Sequence, residues 1–213
     1  MMKQIFRLGL LPVALFTAVA QAEIPDDGVA TLQKDWAVAN YESKGKARKQ
    51  AFEALVKEAD ATVSAHPDSA DAHIWAGIVY STYAGEVSMF SAGKQVKRAR
   101  AELEEAIEID PTAMHGSAFT SLGALLYQIP GFMGGDDEEA EGLLKKGIEL
   151  NPDGIDSNYF YGTFLIDQGR YDEALVYLKK AEAAPARPAR PIADKGRRKE
   201  IAEAMEEVQK KRS

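Results

Sequence analysis

The sequence predicts an all-α chain: a solenoid of antiparallel helix pairs with two inserted segments and a C-terminal capping helix. Three observations carry that expectation. Ala, Glu, Leu and Lys are abundant while β-branched runs are scarce, which favours helix over strand. Apolar side chains recur at offsets of three and four, the period of a helical face. Similar endings also recur along the chain: Ser64-Ala65-His66-Pro67, Glu108-Ile109-Asp110-Pro111, Glu149-Leu150-Asn151-Pro152 and, more loosely, Ala183-Ala184-Pro185. Each proline closes one helix and opens the next, because it lacks an amide donor and biases the residue before it away from helix.

The first element is an address. Met1 to Ala22 has a basic start at Lys3 and Arg7, an apolar stretch from Leu8 to Ala20, and a small-x-small site at Ala20-Gln21-Ala22. This is the pattern of a cleaved export signal, with Glu23 as the new N-terminus. The apolar stretch is shorter than the ~20 residues that a spanning helix needs, so no stable membrane insertion is expected after cleavage. The chain has no cysteine, which removes disulfides, thiolate metal sites and a lipid-modified N-terminus. It also lacks an Asn-x-Ser/Thr sequon, which favours a bacterial setting. The expected location is the periplasm, without a lipid tether.

Residues 23–46 follow as an N-terminal helical segment, with Val29 to Tyr41 and Trp36 as partner to a degenerate helix at Ala47 to Ala65. The units are expected at 47–67, 68–111, 112–152 and 153–186. Their second helices share a ladder of small, large and small residues: Ala99, Leu103 and Ala106; Ala140, Leu144 and Gly147; Ala174, Leu178 and Ala181. The preceding helices share a large-small step at Ala76-Gly77, Leu122-Gly123 and Tyr161-Gly162, followed by Tyr80, Leu126 and Leu165. Gly inside a helix costs ~1 kcal/mol relative to Ala, so three at equivalent places imply close contact between paired helices. Between Gly and Ala the first two units carry extra residues, and spacing alone leaves open whether these lengthen helices or form loops. Residues 187–213 end the chain as a charged capping helix with Ile192, Ile201, Met205 and Val208 as its apolar stripe.

This unit resembles the tetratricopeptide repeat, and residues 155–185 carry the resemblance best. Tyr161, Gly162, Leu165, Gln168-Gly169, Tyr171, Asp172-Glu173-Ala174, Leu178 and Ala181 stand where that family has them, although Asn158 replaces its usual Trp. The joint Ile129-Pro130-Gly131-Phe132-Met133-Gly134-Gly135-Asp136 adds a looser resemblance to the periplasmic T-components of TRAP transporters, without their anchoring cysteine. The repeat family uses its first helices to line a concave groove. By that resemblance the lining falls on Asp71, Ile74, Ile78, Ser81 and Thr82, on Ser117, Thr120, Ala124, Tyr127 and Gln128, and on Asp156, Tyr159, Thr163, Ile166 and Asp167. The lining lacks the Lys/Arg clamp of repeats that capture C-terminal carboxylates. An extended peptide or a partner helix suits it better, with Tyr127 and Tyr159 as aromatic anchors.

A second binding surface is expected at the insertions, where Tyr83, Val87, Met89 and Phe90, and then Ile129, Phe132 and Met133, place apolar groups beside Gly. Exposed together, they would form a patch that a partner covers; folded inward, they would serve the core.

Chemistry finds little footing. His66, His73 and His115 show no metal-ligand spacing and read as structural, with His73 partly buried at the family's Trp position. Asp136-Asp137-Glu138-Glu139 lacks the alternating ligands of a calcium loop and reads as a helix N-terminus with Asp136 or Asp137 as cap. Gly131 to Gly135 lacks the Lys-Ser/Thr of a phosphate loop. No enzyme activity, cofactor or metal is expected. The formal net charge of -7 opposes phosphate backbones, so no nucleic acid is expected either. The basic C-terminal residues alternate with Glu200, Glu203, Glu206 and Glu207, as on a solvated helix. The sequence therefore reads as a periplasmic adaptor that binds another protein or peptide through its groove and insertions. Its rival is a carrier of an apolar small molecule.

Overall fold

In a computed structural model, the structure describes residues 27–212; the export signal expected at 1–22 lies outside them. Nine α-helices follow one another among the described residues: α1 (Asp27–Tyr41), α2 (Gly45–Ala65), α3 (Ala70–Ala84), α4 (Met89–Ile109), α5 (Ser117–Gln128), α6 (Asp137–Leu150), α7 (Ile155–Asp167), α8 (Tyr171–Ala183) and α9 (Pro191–Arg212). Short 3-10 turns at Ala113–His115 and Gly131–Met133 precede α5 and α6. The chain is all-α, and its paired helices stack in the superhelical manner expected.

Pairing follows the glycines. A Cβ built on Gly77 would lie 2.5 Å from Leu103 of α4, one on Gly123 2.8 Å from Leu144 of α6, and one on Gly162 3.0 Å from Leu178 of α8. Each Leu is buried at 0–1% exposure and fills the space that the absent side chain leaves. Small residues on both partners thus bring α3 onto α4, α5 onto α6 and α7 onto α8. Helix starts are capped where the sequence allows. Ser69 Oγ accepts from the Ala72 amide at α3, and Asp136 Oδ1 accepts from Glu139 at 2.9 Å at α6. The acidic run is a helix N-terminus.

The two insertions resolve differently. The first is absorbed mainly by α4, whose 21 residues begin at Met89, leaving only Gly85 to Ser88 as a joint. The second stays a loop, because Pro130, Gly131, Gly134 and Gly135 break the helical period. Gly134 takes φ +96, a conformation that side chains rarely adopt.

Helices α1, α3, α5, α7 and α9 form an inner layer in which each touches the next, while α2, α4, α6 and α8 lie outside. The inner layer does not stay open. Helix α9 leaves α8, passes α7 and meets α1, so the last helix closes on the first. The Tyr41 hydroxyl donates to Glu200 Oε2 at 3.2 Å across that joint. The expected cap is therefore also a closure.

Candidate functional site

The closed inner layer surrounds a central cavity of about 880 Å³. Every inner helix contributes to its wall, for example Trp36 from α1, Trp75 and Ile78 from α3, Leu125 from α5, Phe160 from α7 and Arg197 from α9. Trp36 and Trp75 meet edge to face at 5.9 Å between ring centroids. One turn of the wall is conformationally unusual: Met114 and His115 have φ 46 and φ 56, ahead of Gly116 at φ 74. Left-handed backbone at two consecutive non-glycine residues carries strain that the surrounding structure must hold.

Charge enters this wall from α9 and the turn before it. Asp156, at the start of α7, accepts from Arg187 Nη1 at 2.5 Å on one oxygen and from Arg197 Nε at 2.8 Å on the other. Arg187 also donates to Asp194 at 2.6 Å, and Arg197 donates to Glu200 at 2.7 Å. The Arg197 guanidinium stands over the rings of Tyr159 and Phe160 at 4.3 and 4.6 Å. Burial alone would raise the Asp156 pKa, but Arg197, Arg187 and Arg190 outweigh it and hold the carboxyl well below the usual range. The same network leaves Tyr159 pushed up to about 12, by burial first.

Arg190 is different. Its guanidinium lies 5.0 Å from the centre of the Trp75 ring, and its buried Nε has no hydrogen-bond partner. Trp75 Nε1 is likewise buried and unpartnered, whereas Trp36 Nε1 donates to Thr82 Oγ1 at 3.0 Å.

The residues expected to line the groove separate into three groups. Ile78, Thr120 and Tyr159 line the central cavity. Tyr127, Thr163 and Ile166, again with Tyr159, line a second cavity of about 540 Å³ against Glu203 and Glu207 of α9. Ile74 does neither: it is fully buried, because its position turns into the helix packing rather than toward the groove. Thr120 is only 5% exposed and shields Gly147 of α6 as much as it faces the cavity. Tyr127 donates to or accepts from Thr163 at 2.9 Å, so this expected anchor already has a partner within the array. Helix α9, which touches both α7 and α1, adds a further wall to the expected groove.

The insertion residues divide between surface and core. Phe90 and Phe132 are exposed at 101% and 79%, with Met89 beside Phe90. Met133 turns inward, packs on the core and reaches the central cavity. Its Cε lies 3.9 Å from where a Gly93 Cβ would stand, so the start of α4 and the 131–133 turn are neighbours. Tyr83 and Ile129 are also partly buried against the core.

His73 is held within the helix packing. His73, 7% exposed, places Nδ1 at 2.6 Å from Glu102 Oε2 and Nε2 at 2.9 Å from the Pro67 carbonyl oxygen. No group of three or more His, Cys, Asp or Glu is arranged to hold a metal ion among the described residues.

What sequence reasoning missed is the arginine set. Arg187, Arg190 and Arg197 belong to the basic C-terminal residues expected on a solvated helix, yet Arg197 is only 8% exposed. A signal was present: Ala193, Arg197, Ile201, Ala204 and Val208 share one helical face, and an arginine inside an apolar stripe calls for a buried carboxylate.

A ring of paired helices around a cavity defines a helical-repeat protein. Residues 155–184 match the family model of the tetratricopeptide repeat. Among solved structures, a thermophilic TPR protein of Thermus thermophilus is similar with a TM-score of 0.55 and 16% identity, over 84% of this chain and 97% of that one. MamA aligns with a TM-score of 0.45 at 20% identity, covering 77% of this chain and 90% of its own. The MamA of Desulfovibrio magneticus gives 0.46 at 14%, covering 86% and 95%. No curated protein matches the chain. Residues 155–184 are similar to a tetratricopeptide repeat, and the array around them has the superhelical fold seen in tetratricopeptide-repeat proteins.

Proposed function

We propose that this protein is an exported periplasmic adaptor that docks another protein on its insertion surface. The observation that carries this reading is the exposure of Phe90 and Phe132 on two insertions that approach each other at Gly93 and Met133. Large aromatic side chains on a surface are typical anchors of protein contacts, and apolar groups clustered in water cost free energy that a partner removes. Helix α9 walls the inner side, which leaves the insertion residues as the apolar groups most open to a partner. The export part rests on the leader Met1 to Ala22, and no helix among the described residues is long and apolar enough to cross a membrane.

The test is photo-crosslinking in cells from Phe90 and from Phe132, with Val176 of α8, itself 54% exposed, as the control position. One shared adduct from the two insertions, absent from Val176, is expected. Adducts that do not differ between the three positions would sink the reading. Mass spectrometry of the periplasmic fraction tests export, with Glu23 as the expected first residue.

A second reading, a small-molecule carrier, is favoured by the central cavity. Its volume lies within the ~300–1,000 Å³ usual for ligand sites, and its walls carry Trp36, Trp75, Leu125 and Phe160.

A further inference from the structure

The carrier reading leaves the chemistry of the cargo open, and two side chains narrow it. Trp75 is 2% exposed and lines the central cavity, yet its Nε1–H has no acceptor. Arg190 lies against the same ring, with Nε buried and unpartnered, and it makes no side-chain hydrogen bond or ion pair with any described residue. Its neighbours differ: Arg187 is held by Asp156 and Asp194, and Arg197 by Asp156 and Glu200. The Arg190 pKa is lowered, chiefly by burial, against the opposing pull of Asp156. A buried donor without an acceptor loses its hydration and gains nothing for it. Two such donors stand on one wall of one cavity, and one of them is cationic.

We propose that the central cavity binds a small organic monocarboxylate, its carboxylate accepting from Trp75 Nε1–H and the Arg190 guanidinium. The apolar body of the ligand lies against Ile78, Leu125 and Phe160. A monoanion fits better than phosphate, because Arg190 is the one arginine on this wall that makes no direct ion pair with a protein carboxylate among the described residues. Asp156 and Glu200, on the same wall, would repel a second negative charge. This inference rests on the carrier reading and adds to it the charge and the recognition residues.

Isothermal titration of the full protein with octanoate, octan-1-ol and acetate tests it. Octanoate is expected to bind saturably, octan-1-ol about tenfold or more weaker, the ratio that a charge-assisted hydrogen bond supplies, and acetate undetectably. In Arg190→Gln the octanoate affinity falls to that of octan-1-ol, while octan-1-ol binding is unchanged. Trp75→Phe keeps the ring, removes the donor, and loses several-fold for octanoate alone. Both variants should still unfold cooperatively, Trp75→Phe at a lower temperature because the smaller ring leaves space beside Trp36, and octan-1-ol binding reports whether the cavity itself is kept. Should octanoate and octan-1-ol bind the wild type equally, or should Arg190→Gln leave octanoate untouched, the carboxylate assignment is wrong and the carrier reading stands. If neither eight-carbon probe binds, both are wrong.

Discussion

The ring of Tyr41 lies so close to Gly196 that a side chain of any size at that position would overlap it. This contact joins α1 to α9 and turns a stack of helix pairs into a closed ring around a cavity. Gly196→Ala should displace the Tyr41 ring and break its hydrogen bond to Glu200. Overpacking costs ~1–3 kcal/mol and Ala regains ~1 kcal/mol of helix propensity, so a net global loss of ~0–2 kcal/mol is expected. The local effect decides: amide hydrogen exchange should quicken in α1 and α9 and stay unchanged in α5 and α6. Uniform exchange across the array would mean that the ends do not close through this contact.

Asp156 is the second device that holds α9 in place, and its contribution depends on pH. The arginines depress its pKa in the folded state, so it contributes stability that is fully present above the unfolded value of 3.8. That contribution fades as pH falls below 3.8 toward the lower folded value. Asp156→Asn leaves Arg197, 8% exposed, with Glu200 alone. Removing one partner of a fully buried pair costs ~3–5 kcal/mol, and because the Asp156 side chain is 31% exposed, about 2 kcal/mol is expected here. Urea unfolding at pH 7 should show this gap between wild type and variant, and the gap should narrow at pH 3. A gap that widens on acidification would exclude the arginine cluster as its cause.

The contrast between these two joints and the helix pairs shows what a sequence can and cannot disclose. Gly77, Gly123 and Gly162 each lie within one helical hairpin of Leu103, Leu144 and Leu178, so the repeated spacing exposes the contact before any coordinates exist. Arg197 and Asp156 are separated by 41 residues and belong to different units. No repeat relates them, and basic residues interspersed with Glu200 and Glu203 look solvated in one dimension. The inward turn of Ile74 was hidden for a related reason: positions assigned from the repeat pattern do not reveal which of them the next inner helix covers. Phe90 and Phe132 were legible as apolar insertion residues, but Met133, one position from Phe132, faces the opposite way, and only the 3-10 turn at Gly131–Met133 decides that.

The three paired glycines allow a graded test of the packing itself. At Gly162 an added Cβ would meet only the Leu178 side chain below 3.4 Å, at 3.0 Å, and a small shift of that side chain relieves it. At Gly123 the Cβ would also lie 3.0 Å from the Ala140 carbonyl oxygen, which belongs to a helix backbone and cannot move alone. At Gly77 the Leu103 Cγ stands at 2.5 Å with the Ala99 carbonyl oxygen at 3.2 Å behind it. Helix propensity favours Ala by ~1 kcal/mol at all three, so the difference between sites isolates the steric cost. Gly162→Ala is therefore expected to be within ~0.5 kcal/mol of wild type, while Gly123→Ala and Gly77→Ala lose ~1–3 kcal/mol each. Urea midpoints of the three variants, measured with unchanged m-values, check the order. Equal losses at all three would show that the hairpins adjust freely and that small residues there do not set the distance between helices.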